Sequence, residues 1–270
     1  MSLHGTQTPR NRLTASVVSH GQIPLVNALI DDLKRHAGPH LQRLVVTLNV
    51  PELQPLSADG TPFEVVTLRN QVAQGFGANH NQAFRHCETE CFAVLNPDLR
   101  LASDALGALC EARTPGDGVL SPLILNPDGS PADAARRLPT PLQITARKFR
   151  RYRAEPDPDF DWLAGMCLVL DSAAFRSLGG FDERFFMYCE DTDLCLRMQL
   201  AGWSVRYVAD VQVVHDARRD SHHSAPHLRW HVASLLRLWT SRAFWSYRLR
   251  RRALVSLRRT GLSLEGSRSP

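Results

Sequence analysis

Three carboxylates lie within four residues, at the point where an apolar segment changes to a helical pattern. They are Glu190, Asp191 and Asp193, and they follow a Gly-Gly turn and two adjacent Phe in residues 161–197. A positioned carboxylate commonly takes the proton from a hydroxyl that attacks a substrate. Acidic residues are also favoured in the first turn of a helix, because they complement its dipole. The pattern therefore indicates either a general base at Asp191 or helix capping.

Polar side chains follow four predicted strands. The strands are predicted from apolar runs at 13–19, 44–48, 63–68 and 91–95. Helical patterns separate them, and this alternation predicts an α/β fold with a doubly wound, mostly parallel sheet. Ligands of such sheets bind beyond the carboxyl ends of the strands. The residues at those ends are Ser19, Asn49, Asn70 and Asn96.

Asp98 follows the last of these strands, in the sequence Asn96-Pro97-Asp98. Proline has no amide hydrogen to donate to a neighbouring strand, so the strand ends there and Asp98 turns outward. A carboxylate at this position could bind a hard divalent cation. Asn, Pro and Asp are also common turn residues, so a plain turn is the alternative and, from this residue alone, the favoured one.

Glycine and tryptophan residues give two weaker signals. Gly77 and Asn79 lie in a small-residue loop before a predicted helix, where backbone could approach a nucleotide. Trp162, near Gly165, could stack on a sugar ring, although a core Trp is equally consistent with the sequence. Both patterns indicate binding only in combination with stronger motifs.

Basic and histidine-rich segments occupy the second half of the chain. Residues 132–158 have no clean periodicity and many Arg, which indicates a mobile basic loop beside the site or a solvated surface. His223, His227 and His231 recur every four residues, a spacing that fits a metal on a helix face but is more typical of a polar face. From residue 228 onward the chain has ten Arg and one acid, Glu265, interleaved with apolar residues. Such an amphipathic, Arg-rich tail favours an anionic membrane surface over nucleic acid as partner.

The composition is that of a globular protein of 270 residues with a net charge of +5. No apolar run approaches the roughly 20 residues of a spanning helix. The amino terminus lacks the apolar region of a secretory signal. The six cysteines lie mostly in apolar segments, which predicts reduced thiols and a cytoplasmic location.

Four segments in this order resemble glycosyltransferase family 2, and in particular its bacterial rhamnosyltransferase-like branch. The segments are RNQVAQGFGANHNQAF, LNPDLRL, DWLAGMCLVLDSAAFRSLGGFDERFFMYCEDTDLCLR and VVH. The resemblance covers about residues 13–217, and the order and spacing of the four motifs make it specific.

The resemblance implies a GT-A fold, a Rossmann-like sheet that binds a nucleotide-sugar with Mg²⁺ or Mn²⁺. It implies that Asp191 is the catalytic base, with Glu190 beside it. The family's Asp-x-Asp metal motif reads Asn96-Pro97-Asp98 here, which leaves Asp98 as the carboxylate ligand, and His215 takes the place of a downstream metal ligand. Asn49 replaces the Asp that recognises the nucleotide base. The residues expected to bind the donor are Ser19, Asn49, Asn70, Gly77, Asn79, Asn96 and Asp98, and those expected to bind the acceptor are Trp162 and Gly165.

The sequence thus predicts an inverting, metal-dependent glycosyltransferase at the inner face of the cytoplasmic membrane. Its donor would be a nucleotide-diphosphate deoxyhexose such as L-rhamnose, and its acceptor a cell-surface saccharide or a polyprenyl-pyrophosphate-linked one. Two alternatives are a transferase for another sugar, such as galactofuranose or a hexose, and a catalytically silent nucleotide-sugar-binding scaffold, since Asn49 and Asn96 carry less charge than the family pattern. The predicted domains are a catalytic one at 1–225 and a basic helical extension at 226–270.

Overall fold

A mixed eight-stranded sheet forms the centre of the computed structural model, which describes residues 12–147, 159–216 and 225–259. Its strands are β1 (Leu13–Ser19), β2 (Leu41–Leu48), β3 (Glu64–Arg69), β4 (Cys91–Leu95), β5 (Leu99–Arg100), β6 (Asp117–Leu125), β9 (Cys167–Asp171) and β10 (Ser204–His215). A small second sheet pairs β7 (Ala135–Arg136) with β8 (Trp162–Leu163). The α-helices are α1 (Ile23–His36), α2 (Phe76–Phe84), α3 (Ala105–Ala112), α4 (Pro141–Arg147), α5 (Ser172–Ser177), α6 (Glu190–Leu200), α7 (Ala225–Thr240) and α8 (Arg242–Arg259).

The strand order across the large sheet is β3-β2-β1-β4-β9-β6-β10-β5. Strands β1 to β4 are parallel to one another, as are β6 and β10, whereas β9 runs antiparallel between β4 and β6. Every residue of β4 and β9 is buried, as expected of apolar runs covered on both faces. The predicted α/β fold with a mostly parallel sheet is therefore confirmed.

The carboxyl ends of β1 to β4 meet at one edge of the sheet. The amide of Asn49 donates to the carbonyl of Ser19 across 2.8 Å, and that of Asn70 donates to Leu48 across 3.0 Å. Because parallel strands in register end together, the polar residues that follow them become neighbours. This edge carries one half of the candidate site.

Two local sequence patterns differ from the structure. The apolar runs at 205–208 and 211–214 predict two short strands, but the structure has one strand, β10, whose register shifts between Val208 and Gln212 where extra residues bulge out. Ser103 precedes a helical pattern and so predicts an N-cap, but α3 is capped by Asp104, which accepts from the Gly107 amide at 2.9 Å. Ser and Asp are both good caps, so backbone geometry decides between them.

The two carboxyl-terminal helices pack against α6. Phe244 and Tyr247 of α8 lie in a buried cluster with Leu196 of α6. The Tyr247 hydroxyl donates to Asp161 Oδ1 at 2.9 Å, and Arg251 pairs with the same carboxylate. Helices α7 and α8 therefore form a layer on the rest of the fold, and the predicted division between residues 225 and 226 stays a prediction.

Part of the predicted basic loop at 132–158 is ordered as β7 and α4, which corrects that prediction for residues up to 147. Residues 148–158, His223 and the chain after 259 lie outside the described residues. All six cysteines are buried and unpaired, as predicted. No helix among the described residues is long and apolar enough to cross a membrane.

Candidate active site

Asp191 lies in the first turn of α6 and is fixed by two segments. Its Oδ2 accepts a hydrogen bond from the Gly165 amide at 2.9 Å, and its Oδ1 accepts from the Thr192 amide at 2.7 Å. Helix capping accounts for the bond to Thr192 but not for the bond to Gly165, which joins residues far apart in the chain. The carboxylate is thus aimed towards the turn between β8 and β9.

The two neighbouring carboxyls of α6 differ in their surroundings. Burial raises the pKa of Asp191, while the hydrogen bond from Gly165 and the charge of Arg136 oppose that rise. Burial and the adjacent Asp191 charge raise the pKa of Glu190 well above its usual range, and Glu190 Oε2 is buried without a hydrogen-bond partner among the described residues. Burial and the neighbouring charge therefore disfavour ionisation of Glu190, and the backbone amides favour the charge on Asp191.

Asp193, the third carboxylate, has a structural role. It pairs with Arg197 at 2.6 Å, and Arg197 also donates to the carbonyls of Leu178 and Gly180. The pair ties α6 to the Gly-Gly turn that precedes it.

The turn before α6 is strained. Tyr188 and Cys189 have φ angles of 72° and 66°, and among the described residues no other non-glycine residue has a positive φ. Such left-handed conformations cost on the order of 1–3 kcal/mol for each residue that is not glycine. Cys189 is the N-cap of α6 and makes no side-chain capping bond, so contacts from elsewhere must hold this turn.

Asp98 and His215 lie together at the sheet edge. Their Oδ1 and Nε2 atoms are 3.0 Å apart, and Asn96 Nδ2 lies 3.3 Å from the same ring nitrogen. The antiparallel pairing of β5 with β10 brings them together, because it places His215 opposite Leu99. Despite this proximity Asp98 Oδ1 is buried and makes no hydrogen bond among the described residues.

Asp98 and His215 could fill two coordination positions of a divalent cation whose other positions are taken by a bound substrate. The described residues contain no group of three or more His, Cys, Asp or Glu that could hold a metal on its own. The protein would therefore supply Asp98 and His215, and diphosphate oxygens and water the remaining positions. Mg²⁺ and Mn²⁺ sites on phosphate substrates are commonly built in this way.

Asn49 belongs to a closed network of amides. Its Nδ2 donates to the Gln74 carbonyl at 3.0 Å and lies 3.1 Å from His20 Nδ1. Its Oδ1 accepts from the Gln74 amide and from Asn70, both at 2.8 Å. Asn70 also donates to Asn79 Oδ1 at 2.7 Å. All four hydrogen-bonding positions of the Asn49 amide are used within the protein, so its side chain shapes the loop and has no free position for a base.

The Ser19 hydroxyl also makes a hydrogen bond within the protein. Its hydroxyl donates to Glu52, which in addition accepts from the amides of Gly21 and Ile23 at 3.0 and 3.4 Å. Glu52 thus fixes the loop between β1 and α1. The sequence did not single it out, although an acid shortly after β2 at this edge was an available signal.

The glycines of the small-residue loop serve chain packing. A Cβ on Gly77 would lie 2.7 Å from Phe181 Cβ, and one on Gly75 would lie 2.6 Å from the Phe186 carbonyl oxygen. The Phe76 amide donates to that carbonyl at 2.9 Å. Gly75, the N-cap of α2, and Gly77, in its first turn, therefore let this helix pack against the segment before α6, and the expected approach of Gly77 to the donor stays a prediction.

Trp162 is buried, with 6% of its surface exposed. Its indole N–H donates to the Arg137 carbonyl at 2.9 Å, and the Arg136 guanidinium lies 5.0 Å from the ring centroid. The pairing of β7 with β8 thus buries the indole ring and gives its N–H a hydrogen-bond partner. The buried ring favours the core alternative for Trp162, its stacking on the acceptor stays an untested prediction, and Gly165 lies against the candidate base.

Comparison with known proteins gives related sequences over most of the chain. A model of glycosyl transferase family group 2 matches residues 144–263. An N-acetylglucosaminyl-diphospho-decaprenol L-rhamnosyltransferase from Mycobacterium tuberculosis is 32% identical over 73% of this chain and 78% of its own length. The rhamnosyltransferase WbbL from Escherichia coli is 28% identical over 82% of this chain and 90% of its own.

Solved structures agree on the fold. A mannosyltransferase from Pyrobaculum calidifontis, in complex with GDP-Man and Mn²⁺, is 19% identical with a TM-score of 0.57 over 85% of this chain, and the chain spans 65% of that structure, just under two thirds. TarS 1-349 from S. aureus, in complex with UDP-GlcNAc, is 14% identical and has a TM-score of 0.56. The match covers 79% of this chain and 61% of the TarS chain. At these identities the likeness shows the GT-A fold alone. Together with the sequence relatives, it shows that the chain belongs to glycosyltransferase family 2.

Proposed function

We propose that this glycosyltransferase moves L-rhamnose, or a related deoxyhexose, from a dTDP or UDP donor to a lipid-linked saccharide with inversion at the anomeric carbon. The observation that carries the proposal is a pair of adjacent residues in the turn between β8 and β9. The Gly165 amide holds Asp191, and the Met166 carbonyl accepts from the Asn96 amide at 2.9 Å. The candidate base and the Asp98 edge are therefore joined through two consecutive residues.

In this mechanism Asp191 takes the proton of the acceptor hydroxyl as its oxygen attacks the anomeric carbon. The bond to the nucleotide diphosphate breaks on the opposite face, so the configuration inverts. A cation bound by Asp98 and His215 would neutralise charge on the departing diphosphate. Burial and the adjacent Asp191 disfavour ionisation of Glu190, which favours the negative charge of this carboxyl pair on Asp191.

The choice of sugar and acceptor rests on the relatives. Both rhamnosyltransferases align over most of this chain, and one of them is named for a diphospho-decaprenol acceptor. The Asp98–His215 pair favours a transferase over a silent scaffold, because a buried carboxylate oxygen without a hydrogen bond, beside a histidine, suits a cation that assists the leaving diphosphate.

The test is turnover with a donor panel. We expect dTDP-L-rhamnose or UDP-L-rhamnose to release more nucleoside diphosphate than GDP-mannose or UDP-galactofuranose, in the presence of a polyprenyl-diphosphate N-acetylglucosamine. Asp191→Asn should lower turnover at least about 100-fold, the usual contribution of a positioned base. Asp210→Asn, at an exposed position in the bulge of β10, is the matched control. Turnover of Asp191→Asn within a few-fold of the parent would remove the base assignment.

The exposed faces of α7 and α8 support a peripheral position on an anionic membrane. On α7, Leu228, Val232 and Leu236 are 66, 49 and 56% exposed, and they recur every four residues beside Arg229 and Arg237. No acid occurs in residues 225–259. An exposed apolar row flanked by arginines is typical of helices that lie in a lipid headgroup region.

This membrane surface should be tested by point substitution, because Phe244 and Tyr247 belong to the core and deletion of α8 would expose it. The variant Leu228→Ser, Val232→Ser, Leu236→Ser should lose sedimentation with phosphatidylglycerol vesicles, while the parent should bind these but not phosphatidylcholine vesicles. Unchanged sedimentation of the triple variant would contradict the assignment.

A further inference from the structure

The inner face of α7 makes two hydrogen bonds with the turn that leads into α6. The Ser234 hydroxyl donates to the Met187 carbonyl at 2.8 Å. The Tyr188 hydroxyl and His227 Nδ1 are 2.9 Å apart and share a hydrogen bond. We call these two contacts, one through Ser234 and one through His227, the α7 clamp.

Ring contacts extend the clamp on both sides. Trp230 packs on Phe186 with their centroids 5.0 Å apart, and His231 lies 5.0 Å from the Tyr188 ring. Across the turn, the Phe76 amide of α2 donates to the Phe186 carbonyl. The turn is therefore held between α2 and α7, two helices separated by most of the chain.

The clamp acts on the strained residues themselves. Tyr188 has a left-handed backbone, and Cys189, which shares that conformation, has no side-chain cap to stabilise it. Left-handed backbone at non-glycine residues persists only when surrounding contacts impose it. Asp191 is two residues beyond Cys189, so any relaxation of this turn rotates the first turn of α6 and shifts the carboxylate away from Gly165.

We propose that Tyr188 and His227 are a positioning pair for Asp191, through which α7 completes the active site. The proposal rests on the proposed role of Asp191 as base. Neither residue touches the reacting atoms in this account. Their hydrogen bond keeps the turn in the conformation that aims the carboxylate, so its loss lowers the rate of the chemical step more than the binding of the donor.

A double-mutant cycle tests the pair. With dTDP-L-rhamnose as donor probe, Tyr188→Phe and His227→Gln should each lower kcat about tenfold, equivalent to about 1.4 kcal/mol, with the KM for the donor within twofold of the parent. Because both substitutions break one hydrogen bond, the double variant should be no slower than the slower single variant. Unchanged kcat in the single variants, or a double loss equal to the product of the single losses, would overturn the pair.

A second measurement does not depend on turnover. Amide hydrogen exchange of residues 189–193 should be faster in Tyr188→Phe and in His227→Gln than in the parent. Tyr207→Phe and His36→Gln, which change the same side-chain types away from the turn, should exchange as the parent does. Unchanged exchange in the two clamp variants counts against the proposal. A failed base assignment appears as parental turnover in Asp191→Asn and leaves this exchange result unaffected, so the two failures are distinguishable.

Discussion

The two sides of the candidate active site differ in the chemistry of their side chains. At the strand ends, Asn49, Asn70 and Asn79 bond to one another and to the loop they close, and these amides carry no charge. At the start of α6, two carboxyls stand side by side, one held by backbone amides and one, Glu190, with an unpaired buried oxygen. Amides whose hydrogen-bonding positions are all used fix the shape of the site, whereas carboxyls that lack some hydrogen-bond partners remain available for reaction.

Asp98 is the charged exception on the amide side, and its replacement should have the largest effect. We expect Asp98→Asn to lower turnover about 10³-fold, since a cation on the leaving diphosphate contributes several kcal/mol. A titration of activity against Mn²⁺ should show a matching loss of affinity for the cation. Asp59→Asn, an exposed substitution in the loop after β2, is the control. Full activity of Asp98→Asn in the presence of a chelator would show that neither Asp98 nor a cation at this edge of the sheet contributes to turnover.

Asn49→Ala tests whether the amide side is structural. The substitution leaves the partners of four hydrogen bonds unpaired at a buried position, so urea unfolding should show a loss of about 3 kcal/mol. Asn70→Ala removes two hydrogen bonds from a less buried residue and should cost about half as much. If both variants kept parental stability but bound the donor poorly, Asn49 would be a ligand contact after all.

Trp162→Phe separates a core tryptophan from a sugar platform. The ring is buried and its N–H is bonded, so we expect the free energy of unfolding to fall by about 1–2 kcal/mol. The KM for the acceptor should not change. Trp245→Phe, at a residue that is 48% exposed, should leave stability at the parental value. A raised acceptor KM with parental stability would restore Trp162 to the binding site.

Glu190→Gln should have the smallest effect and one that depends on pH. Burial raises the folded-state pKa of Glu190, so this carboxyl destabilises the fold once the pH exceeds the unfolded pKa of about 4.5. The variant should gain about 1 kcal/mol over the parent between pH 5 and pH 7, and the two should converge at lower pH. Thermal melting at a series of pH values measures the difference. A pH-independent difference would show that Glu190 is charged in the native state.

Local signals in the sequence predicted which residues lie together in the candidate site, but not what each of them contacts. Apolar runs predicted the strands, and parallel strands necessarily bring Ser19, Asn49 and Asn70 to one edge. The pairing of distant segments decides what each side chain then contacts. Gly77 contacts Phe181 and Trp162 contacts Arg137 only in the folded chain. The sequence therefore predicted a donor contact and an acceptor contact at two positions where the structure shows packing.

The α7 clamp marks the limit of such prediction. His227 belongs to a regular histidine spacing, but nothing local to it indicates a partner at Tyr188. The backbone of Tyr188 is left-handed for reasons that lie in the tertiary fold, and tyrosine is not a residue type that favours this conformation. The local carboxylate pattern and the family resemblance both pointed to Asp191, but the motifs that carry the resemblance end at His215, before α7 begins.

The position of α7 in the chain also sets an order of assembly during translation. Roughly 50 residues separate Tyr188 from the end of α7, which a ribosome needs about 3–10 s to add at ~5–20 residues per second. During that interval the parallel strands of the nascent chain can already pair, while the turn before Asp191 has no helix to hold it. The strand side of the candidate site can therefore form before the turn ahead of Asp191 is held, and a truncated polypeptide without α7 would lack the contacts that hold this turn.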